Sequence, residues 1–77
     1  MRFQAFVLMN VDLGCEIDVL KALMKIQGLD EAFYVYGDYD IITKVTAKTI
    51  DELNHIVSDV RKLRNVRSTA TMITREL

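Results

Sequence analysis

At 77 residues and 8.9 kDa the chain has room for one small domain and one hydrophobic core. Hydrophobic residues make up 51%, which excludes a disordered chain; 10 basic against 11 acidic residues give a net charge of −1, without the basic excess of a general nucleic-acid binder. A lone cysteine, Cys15, excludes an internal disulfide and any Cys-x-x-Cys redox or zinc motif. No apolar run approaches the ~20 residues that span a bilayer, and the N-terminus lacks a signal-like apolar stretch. A cytoplasmic domain that gains stability by oligomerising is the expectation.

Residues 2–11 read as a strand. Phe3, Ala5, Val7, Met9 and Val11 alternate onto one side, while Phe6 and Leu8 occupy the other. Apolar residues on both faces indicate a central strand. Asp12-Leu13-Gly14 breaks the pattern, and from Cys15 to about Gln27 the period becomes helical through Ile17, Leu20, Leu23 and Met24. Gly28 fits a helix-ending left-handed position. Residues 30–36 and 41–46 alternate again around Gly37-Asp38-Tyr39-Asp40 and predict a hairpin. Thr49 and Glu52 form a capping box ahead of a stripe of Ile50, Leu53, Ile56, Val57, Val60 and Leu63. Asn65 closes that helix, and residues 67–76 supply the last strand.

The order βαββαβ predicts an α+β, ferredoxin-like fold: a four-stranded antiparallel sheet with both helices on one face. The second face of the sheet then has nothing in the chain to cover it. A second copy of the same sheet is the simplest cover and predicts a twofold dimer.

Chemistry-bearing residues are few. His55 falls on the solvent side of the second helix with no ligand partner nearby in sequence, and Cys15 sits at a helix start without a base. Arg61, Lys62, Arg64 and Arg67 cluster at a helix C-terminus, where cations complement the dipole. No phosphate loop, nucleophile elbow or paired-carboxylate site is present, so no catalytic residue, metal or cofactor is expected. The turn Gly37-Asp38-Tyr39-Asp40 leaves two readings open. It is a polar turn with aspartates making local hydrogen bonds, or a ligand loop whose N–H groups take a carboxylate and whose aspartate takes an ammonium, the two groups of an amino acid.

The string Gly37-Asp38-Tyr39-Asp40-Ile41-Ile42-Thr43-Lys44-Val45 resembles the effector-binding (RAM) domain of the Lrp/AsnC transcription regulators, where a Gly-Asp-aromatic-Asp turn opens an apolar strand. The resemblance continues through Leu63-Arg64-Asn65-Val66, with Arg64-Asn65 where Pro-Gly is common, and through Ser68-Thr69-Ala70-Thr71-Met72. It covers essentially all 77 residues. It implies one domain over 1–77; as a departure from the family the helix-turn-helix is missing, so no direct nucleic-acid contact is expected, and the lack of a long apolar run already leaves no membrane expected. It further implies an amino-acid effector, homodimers assembling into octamers or decamers, and association with full-length regulators. Carried over by residue, it nominates Gly37, Asp38, Tyr39 and Asp40 from the turn and Thr69, Thr71 and Met72 from a neighbour's last strand. Amides near Asp38 and Tyr39 would take the ligand carboxylate, and Asp40 or a threonine hydroxyl its ammonium.

Two rivals share the topology. An ACT-like domain would place an amino acid near Val11-Asp12-Leu13-Gly14 instead. A small dimeric α+β-barrel enzyme would want inward histidine, tryptophan or asparagine, and this chain has no tryptophan and one histidine. An RNA-binding sheet needs exposed aromatics on its first and third strands, and the third has none.

Overall fold

The alternation of the first strand sets the whole arrangement. In the computed structural model, which describes residues 2–74, β1 (Phe3–Val11) buries Ala5, Val7, Met9 and Val11 on one side. It is followed by α1 (Glu16–Leu23), β2 (Leu29–Tyr34), β3 (Ile41–Ala47), α2 (Ile50–Arg61) and β4 (Val66–Ile73). The strands form one antiparallel sheet in the order β2-β3-β1-β4, the ferredoxin-like arrangement expected from the pattern. β1 and β3 are central; β2 and β4 are the edges.

One face of the sheet carries the core. Ile41, Val45 and Ala47 of β3 join the inward residues of β1 against Val19 and Leu23 of α1 and Leu53, Ile56, Val57 and Val60 of α2. Thr43 is the one polar residue at this depth among those described, and its hydroxyl donates to the Val7 carbonyl at 3.0 Å, so its burial leaves no unsatisfied group. The opposite face presents Phe6, Leu8, Ile42, Phe33, Ala70 and Met72, brought side by side by the register Phe6↔Met72, Leu8↔Ile42, Leu8↔Ala70 and Phe33↔Ile42. Phe33 and Met72 are more than half exposed there.

Several boundaries differ from the pattern reading. α1 stops at Leu23, because Lys25 and Ile26 donate three residues back, to Ala22 and Leu23, and the chain tightens into turns before Gly28. Its buried pair is Val19 and Leu23, one turn apart; Ile17 and Met24, expected on the stripe, are exposed. In α2 the Thr49 hydroxyl accepts from the Glu52 N–H at 3.1 Å as the capping box predicts. In the reciprocal bond Glu52 Oε2 accepts from the Lys48 N–H at 3.3 Å, one residue before the cap. Ile50 is exposed, and Leu63 lies past the helix end. β2 ends at Tyr34 and β4 runs Val66–Ile73; residues 75 and 76 of the expected last strand lie outside the described residues.

Asn65 closes the α2–β4 connection rather than α2 itself, with φ of 73°. That is the left-handed region, which asparagine tolerates better than other non-glycine residues. No helix among the described residues is long and apolar enough to cross a membrane.

Candidate functional site

The six residues between β2 and β3 are held at their base and open at their tip. The Val35 N–H donates to the Asp40 carbonyl at 2.9 Å, and the Asp40 N–H donates to the Met9 carbonyl at 3.0 Å. Asp40 also reaches across 29 positions of sequence, its Oδ2 accepting from the Val11 N–H at 2.9 Å. The bulge at Asn10/Val11 falls at the same place, where β1 parts from β4's register. Three segments therefore meet on one side chain and its own peptide groups.

The tip is different. Gly37 has φ of 128°, a conformation L side chains rarely adopt, and a β-carbon there would meet nothing within 4 Å. Asp38 is exposed and Tyr39 half-buried. Among the described residues, the N–H groups of Tyr36, Gly37, Asp38 and Tyr39 find no intramolecular acceptor. A run of free backbone donors beside a free carboxylate can pair with a molecule that carries an anion and a cation on neighbouring atoms.

Two shallow clefts flank the turn. One, of about 360 Å³, lies between the start of α1 and the turn and is lined by Glu16, Ile17, Tyr34, Val35, Tyr36 and Asp40. The other, of about 340 Å³, opens on the far side among Asn10, Val11, Asp40, Arg67 and Ser68. Asp40 is the wall they share. The second cleft contains one polar residue that the sequence pattern does not single out, Asn10, whose Nδ2 donates to Ser68 Oγ at 3.1 Å; beside it Arg67 lies 3.8 Å from the Asp12 carboxylate. One signal was available, since Asn10 interrupts the apolar series Phe6, Leu8 on its face of β1.

The nominated residues of β4 do not converge on the turn within one chain. Thr69 pairs with Met9, which pairs with Ile41 beside the turn, so Thr69 stands in the same row two strands away, about 10 Å across the sheet. Thr71 and Met72 lie further along β4. Thr69 and Thr71 sit on the helix side, opposite Met9 and Val7, and Met72 on the other, opposite Phe6.

The remaining candidates behave as surface or scaffold. His55 is exposed, 3.8 Å from Asp59 one turn on along α2. Cys15 precedes α1, half-buried, and caps it with no side-chain hydrogen bond. Arg61, Lys62, Arg64 and Arg67 are all exposed.

The family model described as Lrp/AsnC ligand binding domain matches residues 4–76. The crystal structure of FFRP-DM1 is similar at 35% identity with a TM-score of 0.89, over 95% of this chain and 99% of that one. AsnC of E. coli is similar at 25% identity and a TM-score of 0.87, over 97% of this chain and 52% of AsnC. Homocitrate synthase of Saccharolobus islandicus is 44% identical over 55 residues, 71% of this chain. The match spans only 12% of that enzyme's length, so it assigns no catalysis.

Proposed function

This chain belongs to the Lrp/AsnC ligand-binding domain family, and on that premise we propose that it is a regulatory module that binds a free amino acid. The observation that carries the reading is the open turn: four successive free N–H groups at residues 36–39 beside the exposed carboxylate of Asp38. The N–H groups of Asp38 and Tyr39 take the ligand's carboxylate, Gly37 gives the turn its shape, and a carboxylate of the turn or a threonine hydroxyl takes the ammonium. Water exclusion strengthens such charge-assisted bonds. A single exposed turn excludes little water, and this supports a site closed by Thr69, Thr71 and Met72 of another copy.

The same reading covers the open sheet face. Phe6, Leu8, Phe33, Ile42, Ala70 and Met72 form an apolar surface that a second copy covers about a twofold axis. Dimers then associate into rings of about eight or ten subunits, as in the assemblies that the family resemblance implies. Regulation runs through this assembly, or through co-assembly with full-length Lrp/AsnC regulators.

Titration calorimetry with each of the twenty amino acids, paired with light scattering on a sizing column, tests both halves. The expected result is millimolar or tighter binding of one or a few amino acids, and a ring population that moves with them. Absence of binding by all twenty at millimolar concentration sinks the sensing role; a ligand-indifferent dimer sinks the assembly mechanism.

A second reading is favoured by the 44% identity with a segment of homocitrate synthase: the module reports an amino acid to a biosynthetic enzyme instead of a transcription regulator. Native mass spectrometry of the chain captured from its own cells separates the two by the identity of the co-assembled protein.

A further inference from the structure

The two aspartates of the turn stand in different chemical situations. Asp40 is half-buried and its Oδ2 is occupied by the Val11 N–H at 2.9 Å. Its peptide N–H is bonded to Met9 and its carbonyl to Val35. Asp38 is exposed and accepts no hydrogen bond from any described residue. Asp40 thus ties the end of β1, the end of the β2 side of the turn and the start of β3 together, and the free tip of residues 36–39 projects from that knot. It is also the side chain common to the clefts on both sides of the turn, so its placement fixes the wall of each.

We propose that Asp40 is a positioning residue for the amino-acid site: it holds the tip in its open form through Val11, while the carboxylate that meets the ligand's ammonium is that of Asp38. The inference rests on the amino-acid reading above and deepens it by dividing the work between two identical side chains, one on each side of Tyr39, that differ only in their surroundings. The physical basis is the difference between accepting a hydrogen bond and carrying a charge. The N–H of Val11 needs an acceptor oxygen in that place, and an amide oxygen serves it as well as a carboxylate oxygen does. An ammonium on the ligand needs the negative charge, and an amide's NH2 group turned toward it repels.

Substitution by the isosteric amide therefore separates the roles. The full chain carrying Asp40→Asn, Asp40→Ala or Asp38→Asn is titrated with each of the twenty amino acids, and the amide signals of Val11 and residues 36–39 are followed by NMR without ligand. Asp40→Asn is expected to keep the wild-type Val11 and turn signals and to bind the same amino acid within about threefold of wild type. Asp38→Asn keeps the same ligand-free spectrum but loses tenfold or more in affinity. Asp40→Ala shifts Val11 and the tip together and loses tenfold or more, and the asparagine variant rescues it.

Loss of tenfold or more in Asp40→Asn with an unchanged spectrum overturns the proposal, because the charge of Asp40 then meets the ligand. So does undiminished binding by Asp38→Asn. If the wild-type chain binds none of the twenty, the amino-acid reading itself falls, an outcome distinct from either of these.

Discussion

At the scale of single residues, three positions carry structural demands of different kinds. Gly28 has φ of +95°, and a β-carbon there would overlap the side chain of Ile56 and stand 3.3 Å from the Thr46 carbonyl oxygen. Ile56 is buried and would have to turn its terminal methyl aside, whereas the Thr46 oxygen is backbone. Gly28→Ala is expected to cost about 2 kcal/mol, from left-handed strain and the displaced core residue together. Urea denaturation measures it, and a change under 0.5 kcal/mol would mean that Ile56 repacks freely. Asn65 is the second position: with φ of 73° it stands in the left-handed region immediately before Val66, which pairs with Val11. Asp40 is the third. Its place in the turn string was legible, but its acceptor role toward Val11 was not, because the two are 29 residues apart and meet only once β1 and β3 have paired.

At the scale of elements, period and capping located all six, and α2 was read most completely. Its cap, its first-turn acids and its buried stripe through Leu53, Ile56, Val57 and Val60 follow from local rules. Thr49→Ala removes the one side-chain cap that α2 has and is expected to destabilise the fold by about 1 kcal/mol, read as a lowered denaturation midpoint at unchanged slope. An unchanged midpoint would mean that Glu52 and the first-turn acids suffice without the hydroxyl. α1 was read less well because its apolar residues exceed what one face can bury. Eight helical residues present only Val19 and Leu23 fully to the core, and the choice among Ile17, Leu20, Leu23 and Met24 depends on how α1 lies against the sheet.

At the scale of the whole molecule, the dominant feature is a sheet with one face covered and one face open. The open face has an apolar middle of Phe6, Leu8, Phe33, Ile42, Ala70 and Met72, bordered on the same face by the Lys44–Glu31 pair toward one end and by Asn10 and Ser68 toward the other. Leu8→Arg, placed between Ile42 and Ala70 at the middle of that face, is expected to leave the circular dichroism of the fold intact and to reduce the proposed assembly to a monomer of 8.9 kDa by light scattering. Retention of the wild-type mass would remove the sheet face from the assembly. The candidate site belongs to this scale as well. The turn and the β4 residues nominated with it stand about 10 Å or more apart and do not converge within one chain.

By itself, the sequence determined the class of fold, the order of the elements, the two-sided apolar character of the sheet and the position of the turn. All of these rest on periods of two and 3.6 residues and on turn and cap chemistry, which act over a few neighbours. Only the tertiary structure decided which residues of α1 go inward, which face of the sheet Thr69, Thr71 and Met72 occupy, that Asn10 meets Ser68, and that Asp40 is tied to Val11 while Asp38 stands free. Each of those depends on strand register and helix placement, quantities set by contacts between residues far apart in the chain.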